Sequence, residues 1–448
     1  MTRKHPKLAD VARPNLYREM FPYTDFPKVI FDNKTVDYDF PKQIWITDTT
    51  FRDGQQARPP YTPKQILRLY DFLHEIDGGT GLIRQCEFFL YSKRDRQAVE
   101  LCQARGYEFP EITGWIRAVR NDFKLVTEMA LKETGILTSA SDYHIFLKLR
   151  KTRAQALEGY LGIVKAALDS GVIPRCHFED ITRADYEGFV LPFAAELMKL
   201  AKSYNKPVKI RLCDTLGFGI PLPGVSLPRS VPKLVQGFRE IGVPSQWLEW
   251  HGHNDFHKVQ VNAATAWLYG CCAANGSIFG VGERTGNPPL EAMLIEHAQL
   301  KGLAEGINYA AITALAEYAR TELGFDIPGN YPLVGKNFNV TRAGIHADGL
   351  LKDEEIYNCF DTAKLLNRPV HVAITDKTGA AGIKHWIEAR FQIDIPKHNP
   401  RVTKIKDRIE AEYAAARVSA ISDEEMFQWV REAFGDELPP LRKKTPES

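Results

Sequence analysis

The stretch ITDTTFRDGQQA, residues 46–57, contains the pattern on which the fold assignment depends. A short β-rich run at 44–46 breaks into Asp48, two threonines and an Arg-Asp-Gly sequence. Asp and Gly end strands in many folds, so this stretch alone fits a solvated turn as well as it fits a ligand-binding loop. The rest of the chain has to decide between the two.

The same pattern recurs along the chain, where short apolar runs end in polar clusters and segments of helical periodicity follow them, such as DFKLVTEMALKET at residues 122–134. Eight strand–helix units of this kind predict an α/β fold, a (β/α)8 TIM barrel over residues 44–325. Such barrels carry their chemistry at the carboxyl ends of the strands, where the polar clusters stand. A doubly wound open sheet is the alternative, although it would not require polar residues at nearly every strand end. The predicted strands with their endings are QIWITDTTFRD, IRQCEFFLY, EITGWIRAV, GILTSASDYH, PRCHFEDIT, KIRLCDTLG, WLEWHGHND and NGSIFGVGE.

Outside the barrel, the composition predicts three further segments. Residues 1–43, rich in Pro, Tyr, Phe and Asp, are predicted to form an extended N-terminal arm. Residues 326–434 begin with a stretch rich in Gly, Pro and Asn and continue with helix-period segments, which predicts a smaller, mostly helical C-terminal accessory region. The last residues, 435–448, are predicted to be a disordered tail.

The composition limits the class of protein. Of 448 residues, 44% are hydrophobic and 25% are charged, and the net charge of +2 gives no support for a nucleic-acid-binding surface. No apolar run is long enough to predict a membrane span. The seven cysteines form no Cys-x-x-Cys pair, which is typical of reduced thiols in the cytoplasm. We therefore expect a cytoplasmic globular protein.

Two histidines in EWHGHND, His251 and His253, stand two positions apart at a predicted strand end. Side chains at i and i+2 of a strand point to the same face, so both imidazoles can reach one ion. We expect the first strand to close beside this one in a barrel, which brings Asp53 to the two imidazoles. Two nitrogens and one oxygen suit Zn, Mn, Fe or Co and leave positions open for substrate. An isolated His-x-His pair is weak support for a metal site, so the prediction depends on Asp53.

The segment IFGVGERTGNPPLEAML, residues 278–294, leaves two interpretations open. Thr285 stands where a dinucleotide-binding motif requires its third glycine, so that motif fails here. The segment is either a Gly-rich turn into a helix or a loop that brings Asn287 to the metal.

Acidic residues also end the fifth and sixth predicted strands, in CHFEDITRAD and LCDTLGFGIP. A paired acid at a strand end is more often a helix cap or a salt-bridge partner than a catalyst. Two such clusters at the same rim favour a site there. The residues concerned are Glu179, Asp180, Asp214 and Thr215.

Six segments, taken in order, resemble one known family. They are DTTFRDGQQ, FEDITRAD, DTLGFGIP, HGHND, GVGERTGN and RAGIHADGLLK, all within residues 44–385. Together they are similar to the motifs of the acyl-CoA-condensing, metal-dependent TIM-barrel family, which includes isopropylmalate, homocitrate and citramalate synthases and the Re-face-specific citrate synthases. The resemblance implies a Claisen-type addition of acetyl-CoA to an α-keto acid, followed by thioester hydrolysis. It also implies a divalent metal (Mn, Co, Zn or Mg), for which the matching residues are Asp53, His251, His253 and Asn287.

The resemblance also implies roles for individual residues. Arg52 would stabilise the alkoxide that forms with the new carbon–carbon bond, and Glu179 and His346 are the candidates for the base that deprotonates the acetyl methyl group. In relatives the loop that carries the counterpart of His346 can reach a neighbouring subunit, which implies a homodimer whose accessory loop acts in trans. The residues expected to contact substrate are Gln56, Glu87, Arg117, His144 and Thr215.

The sequence departs from the family pattern at Phe51 and Gln55, and it carries His257 and Lys258 where relatives have small or apolar residues. The chain also leaves little room for the regulatory domain of isopropylmalate synthases. With the N-terminal arm, the DKTGAAGIKHWI segment and a cationic rim, these features most resemble the Re-face-specific citrate synthases, which implies oxaloacetate as the acceptor. The rim cations suit a dicarboxylic acid unless they are solvated or paired with nearby aspartates. They are Arg84, Lys93, Arg94, Arg117 and Arg120, on or after the second and third predicted strands.

Four alternatives remain from the sequence. Homocitrate synthase, with 2-oxoglutarate as acceptor, and 2-isopropylmalate synthase are the next candidates within the family. An aldol-type lyase of the same barrel superfamily would not be expected to carry the RAGIHADG loop. A metal-binding barrel without catalysis would not be expected to keep Arg52, Glu179 and His346 alongside the metal ligands.

Overall fold

The computed structural model describes residues 6–342, 346, 349–350, 352–396, 398–435 and 438. The chain divides into two compact units, Met1–Asn308 and Tyr309–Ser448. Most of the predicted tail and most of the RAGIHADG loop lie outside the described residues. The segment boundaries predicted at 43, 325 and 434 stay predictions.

Eight parallel strands close into a barrel in sequence order, and the last strand pairs back to the first. This confirms the predicted (β/α)8 barrel, and the open doubly wound sheet is wrong because a closed sheet has no edge strand. The strands are β1 Trp45–Asp48, β2 Ile83–Phe89, β3 Glu111–Arg117, β4 Glu133–Ser139, β5 Ile173–Glu179, β6 Lys209–Asp214, β7 Leu248–Gly252 and β8 Ala273–Gly276.

A helix follows each strand along the chain, and local sequence explains where the helices begin and end. In α1, the Thr62 side chain accepts from the backbone N–H of Gln65, whose side chain accepts in return from the Thr62 N–H. Gly78 ends α1 in the left-handed region, with φ 59°, and a Cβ there would lie 2.0 Å from Gly306 O. The helices are α1 Pro63–Asp77, α2 Lys93–Gln103, α3 Phe123–Glu128, α4 Arg153–Asp169, α5 Leu191–Tyr204, α6 Val231–Glu240, α7 Val259–Leu268 and α8 Leu290–Lys301.

The barrel interior is lined with charged side chains. In β5, Arg175 and His177 alternate with apolar residues that are equally buried. Arg211 of β6 donates to Glu87 of β2 across the barrel at 2.9 Å, so the polar faces of the strands point inward. Burial of these charges is tolerated because each is paired.

Three placements differ from the sequence-based expectations. Strand β8 lies between β1 and β7, so Asp53 and His251 do not follow adjacent strands. The segment 122–134, predicted as one helix, is helical in α3 only as far as Glu128, because the residues that follow enter the buried strand β4. Arg84 lies at the start of β2, at the amino end of the barrel, and is therefore not a member of the cationic rim.

The second unit is mostly helical, as predicted. Its core contains Trp386, Met426 and Trp429, contributed by two of its helices. A two-stranded parallel pair accompanies them, β9 Val340–Thr341 with β10 His371–Val372. The helices are α9 Ala311–Leu323, α10 Thr362–Leu366, α11 Gly379–Phe391, α12 Pro400–Ala414 and α13 Asp423–Phe434.

Within the described part of the chain, no helix combines the length and the apolar character needed to cross a bilayer. The cytoplasmic location stays a prediction.

Candidate active site and metal centre

The loop after β1 carries Asp53 along the rim toward β7. Thr50 anchors this loop: its backbone N–H donates to Asp48 Oδ2 at 3.0 Å, and its hydroxyl accepts from the backbone N–H of Ile278 at 2.9 Å. Because Ile278 follows β8, the first and last loops of the barrel are bonded to each other. Asp48, Thr50 and Asp53 are all buried. The polar stretch after the first strand is therefore a folded part of the rim, and its interpretation as a solvated turn is wrong.

The structure brings the three predicted metal ligands together. Asp53, His251 and His253 each offer one ligand atom, and these atoms lie within 4.8 Å of one another. The three side chains are buried, with exposures of 1%, 4% and 5%. Ligand bonds of about 2.0–2.2 Å place two donors at most about 4.4 Å apart, so atoms within 4.8 Å of one another need only a small side-chain shift to share one divalent ion.

Asp53 is held by donors on both of its carboxylate oxygens. Its Oδ1 accepts from Arg52 and from Gln56, both at 2.9 Å, and its Oδ2 accepts from Asn287 Nδ2 at 2.7 Å. Burial acts to raise the pKa of Asp53, but the charge of Arg52 and the hydrogen bond from Asn287 help to hold it below its usual range. The carboxylate is thus ionised, which is the form that binds a cation.

Asn287 supplies a further test of whether a metal fits. Its Nδ2 donates to Asp53 and to Val281 O at 3.2 Å, which fixes the orientation of the amide. Its Oδ1 is buried and has no hydrogen-bond partner among the described residues. A buried acceptor without a partner destabilises a fold by about 1–3 kcal/mol, and a cation would satisfy it. Two imidazoles, a carboxylate and an amide oxygen together fit a divalent metal.

The two histidines are in the protonation state that metal binding requires. Burial lowers the pKa of both His251 and His253, so each imidazole is neutral near pH 7. His251 Nδ1 lies 2.8 Å from Asn275 Oδ1, which leaves the other ring nitrogen for a metal. Sequence analysis did not identify Asn275, and the only signal for it is its position at the end of the last strand.

The Arg52 guanidinium donates hydrogen bonds to two carboxylates. One N–H group bonds to Asp53, and Nε donates to Glu87 Oε2 at 2.8 Å. Glu87 is fully buried and also accepts from Arg175 and Arg211. Burial acts to raise the pKa of Glu87, but the guanidinium groups of Arg211 and Arg52 hold it well below its usual range. Glu87 therefore orients Arg52, and its predicted contact with substrate stays a prediction.

Glu179 lies at the end of β5 among cationic and hydroxyl groups. Its Oε2 is 2.7 Å from Lys148 Nζ and 3.0 Å from His144 Nδ1, and it accepts from the Ser139 hydroxyl. Burial acts to raise the pKa of Glu179, but His144 and Lys148 lower it to about 2. Sequence analysis missed Lys148, which the π-helical turn Tyr143–Lys148 places on the same side as His144.

The remaining predicted residues occupy different environments. The Thr215 hydroxyl accepts from the backbone N–H of Asp180 at 2.8 Å, beside Glu179 at the rim. The side chain of Arg117 is 59% exposed and pairs with both oxygens of Asp122, at 2.9 and 3.0 Å, as the salt-bridge alternative expects. His346 belongs to the second unit and is exposed.

A closed (β/α)8 barrel with a carboxylate, two neutral imidazoles and a buried guanidinium at its carboxyl rim belongs to the class of metal-dependent TIM barrels. The HMGL-like family model matches residues 43–318, which is more than half of the chain. The protein is a member of the HMGL-like family.

Two relatives are similar over almost the whole chain. The citrate (Re)-synthase of Syntrophus aciditrophicus strain SB is 55% identical over 451 residues, which cover 99% of this chain and 72% of that protein. The citrate (Re)-synthase of Clostridium kluyveri is 52% identical over 446 residues, which cover 98% of each chain. Among solved structures, the hydroxymethylglutaryl-CoA lyase of Pseudomonas aeruginosa matches with a TM-score of 0.51 and 20% identity, over 64% of this chain and 95% of that chain. That structural likeness shows the fold alone.

Proposed function

We propose that this protein condenses acetyl-CoA with oxaloacetate and hydrolyses the resulting thioester, so that one water is consumed and citrate and free CoA are released. The observation that carries the proposal is the 52% identity, over 98% of both chains, to the citrate (Re)-synthase of Clostridium kluyveri. The cluster of Asp53, His251 and His253 beside a buried arginine supports the same chemistry. The enzyme would be an acyltransferase that converts the acyl group into an alkyl group on transfer.

Asp53, His251 and His253 would hold a divalent metal, and Asn287 Oδ1 is available as a fourth ligand. When bound, such an ion acts as a Lewis acid toward the keto carbonyl of the acceptor. Imidazole ligands favour Mn, Co or Zn over Mg, which prefers oxygen donors.

Arg52 would stabilise the negative charge that develops on the keto oxygen as the carbon–carbon bond forms. Its guanidinium is already fixed by Asp53 and Glu87, so it need not reorganise during the reaction. Donors that are preset in this way in a water-poor site are the most effective stabilisers of a developing alkoxide.

The acetyl methyl group is a weak carbon acid, so a base must take its proton. Glu179 is ionised, but the low pKa imposed by its neighbours makes it a weak base while Lys148 remains in contact with it. His346, from the accessory region, is the alternative base. We propose that both residues are required for turnover.

Lys148 supports a dicarboxylic acceptor. Its ammonium lies beside Glu179 at the rim and its side chain is 44% exposed, so it is accessible to an incoming carboxylate. A branched apolar keto acid would instead need a hydrophobic slot at this place. Arg117 and Lys148 are each paired with a carboxylate, Asp122 and Glu179, and Lys148 is the one that lies beside a proposed catalytic residue.

We also propose a homodimer in which the loop carrying His346 acts on the site of the partner subunit. The support is the family resemblance of the RAGIHADG sequence and the position of His346 outside the barrel unit. Acetyl-CoA and the keto acid are the only ligands besides the metal that this proposal requires.

The test of the proposed function is acetyl-CoA-dependent thiol release, measured side by side with oxaloacetate, 2-oxoglutarate, 2-oxoisovalerate and pyruvate in the presence of Mn²⁺. We expect a clear preference for oxaloacetate. A preference for 2-oxoglutarate or 2-oxoisovalerate would make the protein a homocitrate or an isopropylmalate synthase. Absence of thiol release with every acceptor would support a metal-binding barrel without catalysis. The matched control is the His253→Ala variant, which should release no thiol with any acceptor.

A further inference from the structure

A line of hydrogen bonds runs inward from the metal ligand His251 into the barrel. His251 Nδ1 lies 2.8 Å from Asn275 Oδ1, and Asn275 Nδ2 donates to Thr47 Oγ1 at 2.9 Å. The Thr47 hydroxyl in turn donates to Glu249 Oε1. All four side chains are buried, and the exposed fractions of Asn275 and Thr47 are 0% and 2%. We call Asn275, Thr47 and Glu249 the Glu249 relay.

The pairing of Glu249 with Arg211, at the inner end of the relay, fixes the direction of each hydrogen bond in it. The two oxygens of Glu249 accept from Arg211, with Nε at 2.6 Å from Oε2 and the terminal nitrogen at 3.1 Å from Oε1. A carboxylate paired with a guanidinium accepts and does not donate, so the single hydrogen of the Thr47 hydroxyl goes to Glu249. The Thr47 oxygen must then accept from its other neighbour, Asn275.

A second and longer contact agrees with the same orientation of the Asn275 amide. Its Nδ2 lies 3.3 Å from the backbone oxygen of Thr47, which can only accept a hydrogen bond. Both contacts place the NH2 group toward Thr47 and the amide oxygen toward His251. Since that oxygen accepts, His251 carries its hydrogen on Nδ1, and the lone pair is on Nε2.

We propose that Glu249 is a positioning residue that holds His251, through Thr47 and Asn275, in the tautomer that binds the metal. The inference rests on the metal centre of the proposed function, and it adds three residues that sequence analysis did not identify. Hydrogen-bond partners behind a metal-binding histidine set its tautomer and its ring orientation, and their loss weakens metal affinity by about 10- to 100-fold.

The barrel interior offers matched controls outside the relay. The Thr113 hydroxyl is as buried as that of Thr47, but it contacts Cys86 O and Arg175. Among the described residues, no hydrogen bond joins Thr113 to Thr47 or Asn275. Replacement of either threonine by valine keeps the shape of the side chain and removes one buried hydroxyl.

The first test compares Thr47→Val, Thr47→Ser and Thr113→Val in the full-length protein. Each is stripped of metal and titrated with Co²⁺, with calorimetry for affinity and the visible Co²⁺ absorption for the ligand field. We expect Thr47→Val to bind Co²⁺ about 10- to 100-fold more weakly, with a changed absorption spectrum. Thr47→Ser keeps the hydroxyl and should behave like the parent, as should Thr113→Val. Parental affinity in Thr47→Val, or an equal loss in Thr113→Val, would overturn the proposal.

The second test is made on the parent protein, and a variant is needed only to assign the His251 signal. Imidazole ¹⁵N shifts of the metal-free parent protein report which ring nitrogen of His251 carries the hydrogen, and the signal is identified by its absence in His251→Gln. The relay predicts the Nδ1-protonated form, and a mainly Nε2-protonated ring would refute it. Neither test depends on turnover, so failure to form citrate would end the proposed function and leave the relay standing.

Discussion

Asn287 donates its side-chain N–H to Asp53 Oδ2 at 2.7 Å, which joins two residues 234 positions apart in the chain. The bond connects the loop after β8 to the loop after β1, where the barrel closes. It orients the carboxylate of the proposed metal site and leaves the amide oxygen of Asn287 buried, with no partner among the described residues. The last βα loop therefore supports the first proposed ligand and also offers an amide oxygen to the proposed metal.

Asn287→Leu is expected to weaken metal binding by about 10- to 100-fold, because Asp53 loses a donor and the site loses an amide oxygen. Calorimetric titration of the metal-free variant with Mn²⁺ measures this. The control is Asn262→Leu, a buried asparagine that bonds to Gly219 O, away from Asp53. That variant should lose stability and keep its metal affinity. Parental affinity in Asn287→Leu would remove this residue from the metal site.

Arg52→Lys is expected to lower kcat by about 100- to 1,000-fold with a small effect on KM for the keto acid. Lysine keeps the charge but cannot bond to Asp53, Glu87 and a developing alkoxide from one rigid fork. Steady-state kinetics with oxaloacetate gives both constants. Arg84→Lys, at the amino end of β2, is the control and should leave kcat unchanged. A kcat near the parental value in Arg52→Lys would remove the guanidinium from the mechanism.

Lys148→Met is expected to raise the pKa of Glu179 from its present value of about 2, because the ammonium that stabilises the carboxylate is lost. A carboxyl group whose pKa is lowered on folding stabilises the folded protein at pH values above the ordinary glutamate pKa of 4.5. This stabilisation is lost as the pH falls toward the lowered pKa of about 2. Substitution of Lys148 therefore shifts that loss to higher pH.

A ¹³C-carboxyl NMR titration tests this pKa directly. In the parent, Glu179 should remain ionised down to about pH 4, whereas in Lys148→Met its titration should begin at a higher pH than in the parent. Lys151→Met, an exposed lysine nearby in the chain, is the control. An unchanged Glu179 titration in Lys148→Met would contradict the assigned contact.

The fold was predictable because the polar ends of the strands repeat in every unit. The expectation that β1 lies directly beside β7 was wrong, because a barrel of eight strands in sequence order closes between β8 and β1. A single sequence does not show where a helix must stop so that the next strand can be buried, which is why α3 ends at Glu128 and not near the start of β4. A single sequence also does not show where a strand begins, which decides whether Arg84 lies at the amino or the carboxyl end of β2.

In the site, the residues that follow strand ends were predictable, and those inside the barrel were not. In the sequence, Arg211 and Glu249 look like ordinary surface charges, because charged residues are seldom buried. The partners that pair with them inside the barrel lie on other strands. One signal was present: Glu249 and His251 alternate along β7, and His253 continues the alternation just after the strand ends. The hydrogen bond between Asn275 and Thr47 spans 228 positions and has no local signature.

Glu179→Gln and His346→Ala are each expected to fold and to lose about 100- to 10,000-fold in turnover, as for a missing general base or acid. If the accessory loop acts in trans, a mixture of the two inactive variants forms hybrid dimers that contain one intact site. A clear fraction of the parental turnover should then return on mixing. The control mixture, Glu179→Gln with Arg52→Lys, combines two changes in the barrel unit and should stay inactive. Parental turnover in either single variant would remove that residue from the mechanism.

The most direct measurement follows ¹³C-labelled acetyl-CoA into product in the presence of oxaloacetate, with citrate measured by mass spectrometry and CoA by its thiol. Three samples are compared: the Mn²⁺-loaded parent, the same protein after chelation of its metal, and His253→Ala. The proposed function predicts labelled citrate and free CoA in equal amounts from the Mn²⁺-loaded parent, and neither product from the other two. Citrate formed at an undiminished rate after chelation, or thiol released by the loaded parent without labelled citrate, would contradict it.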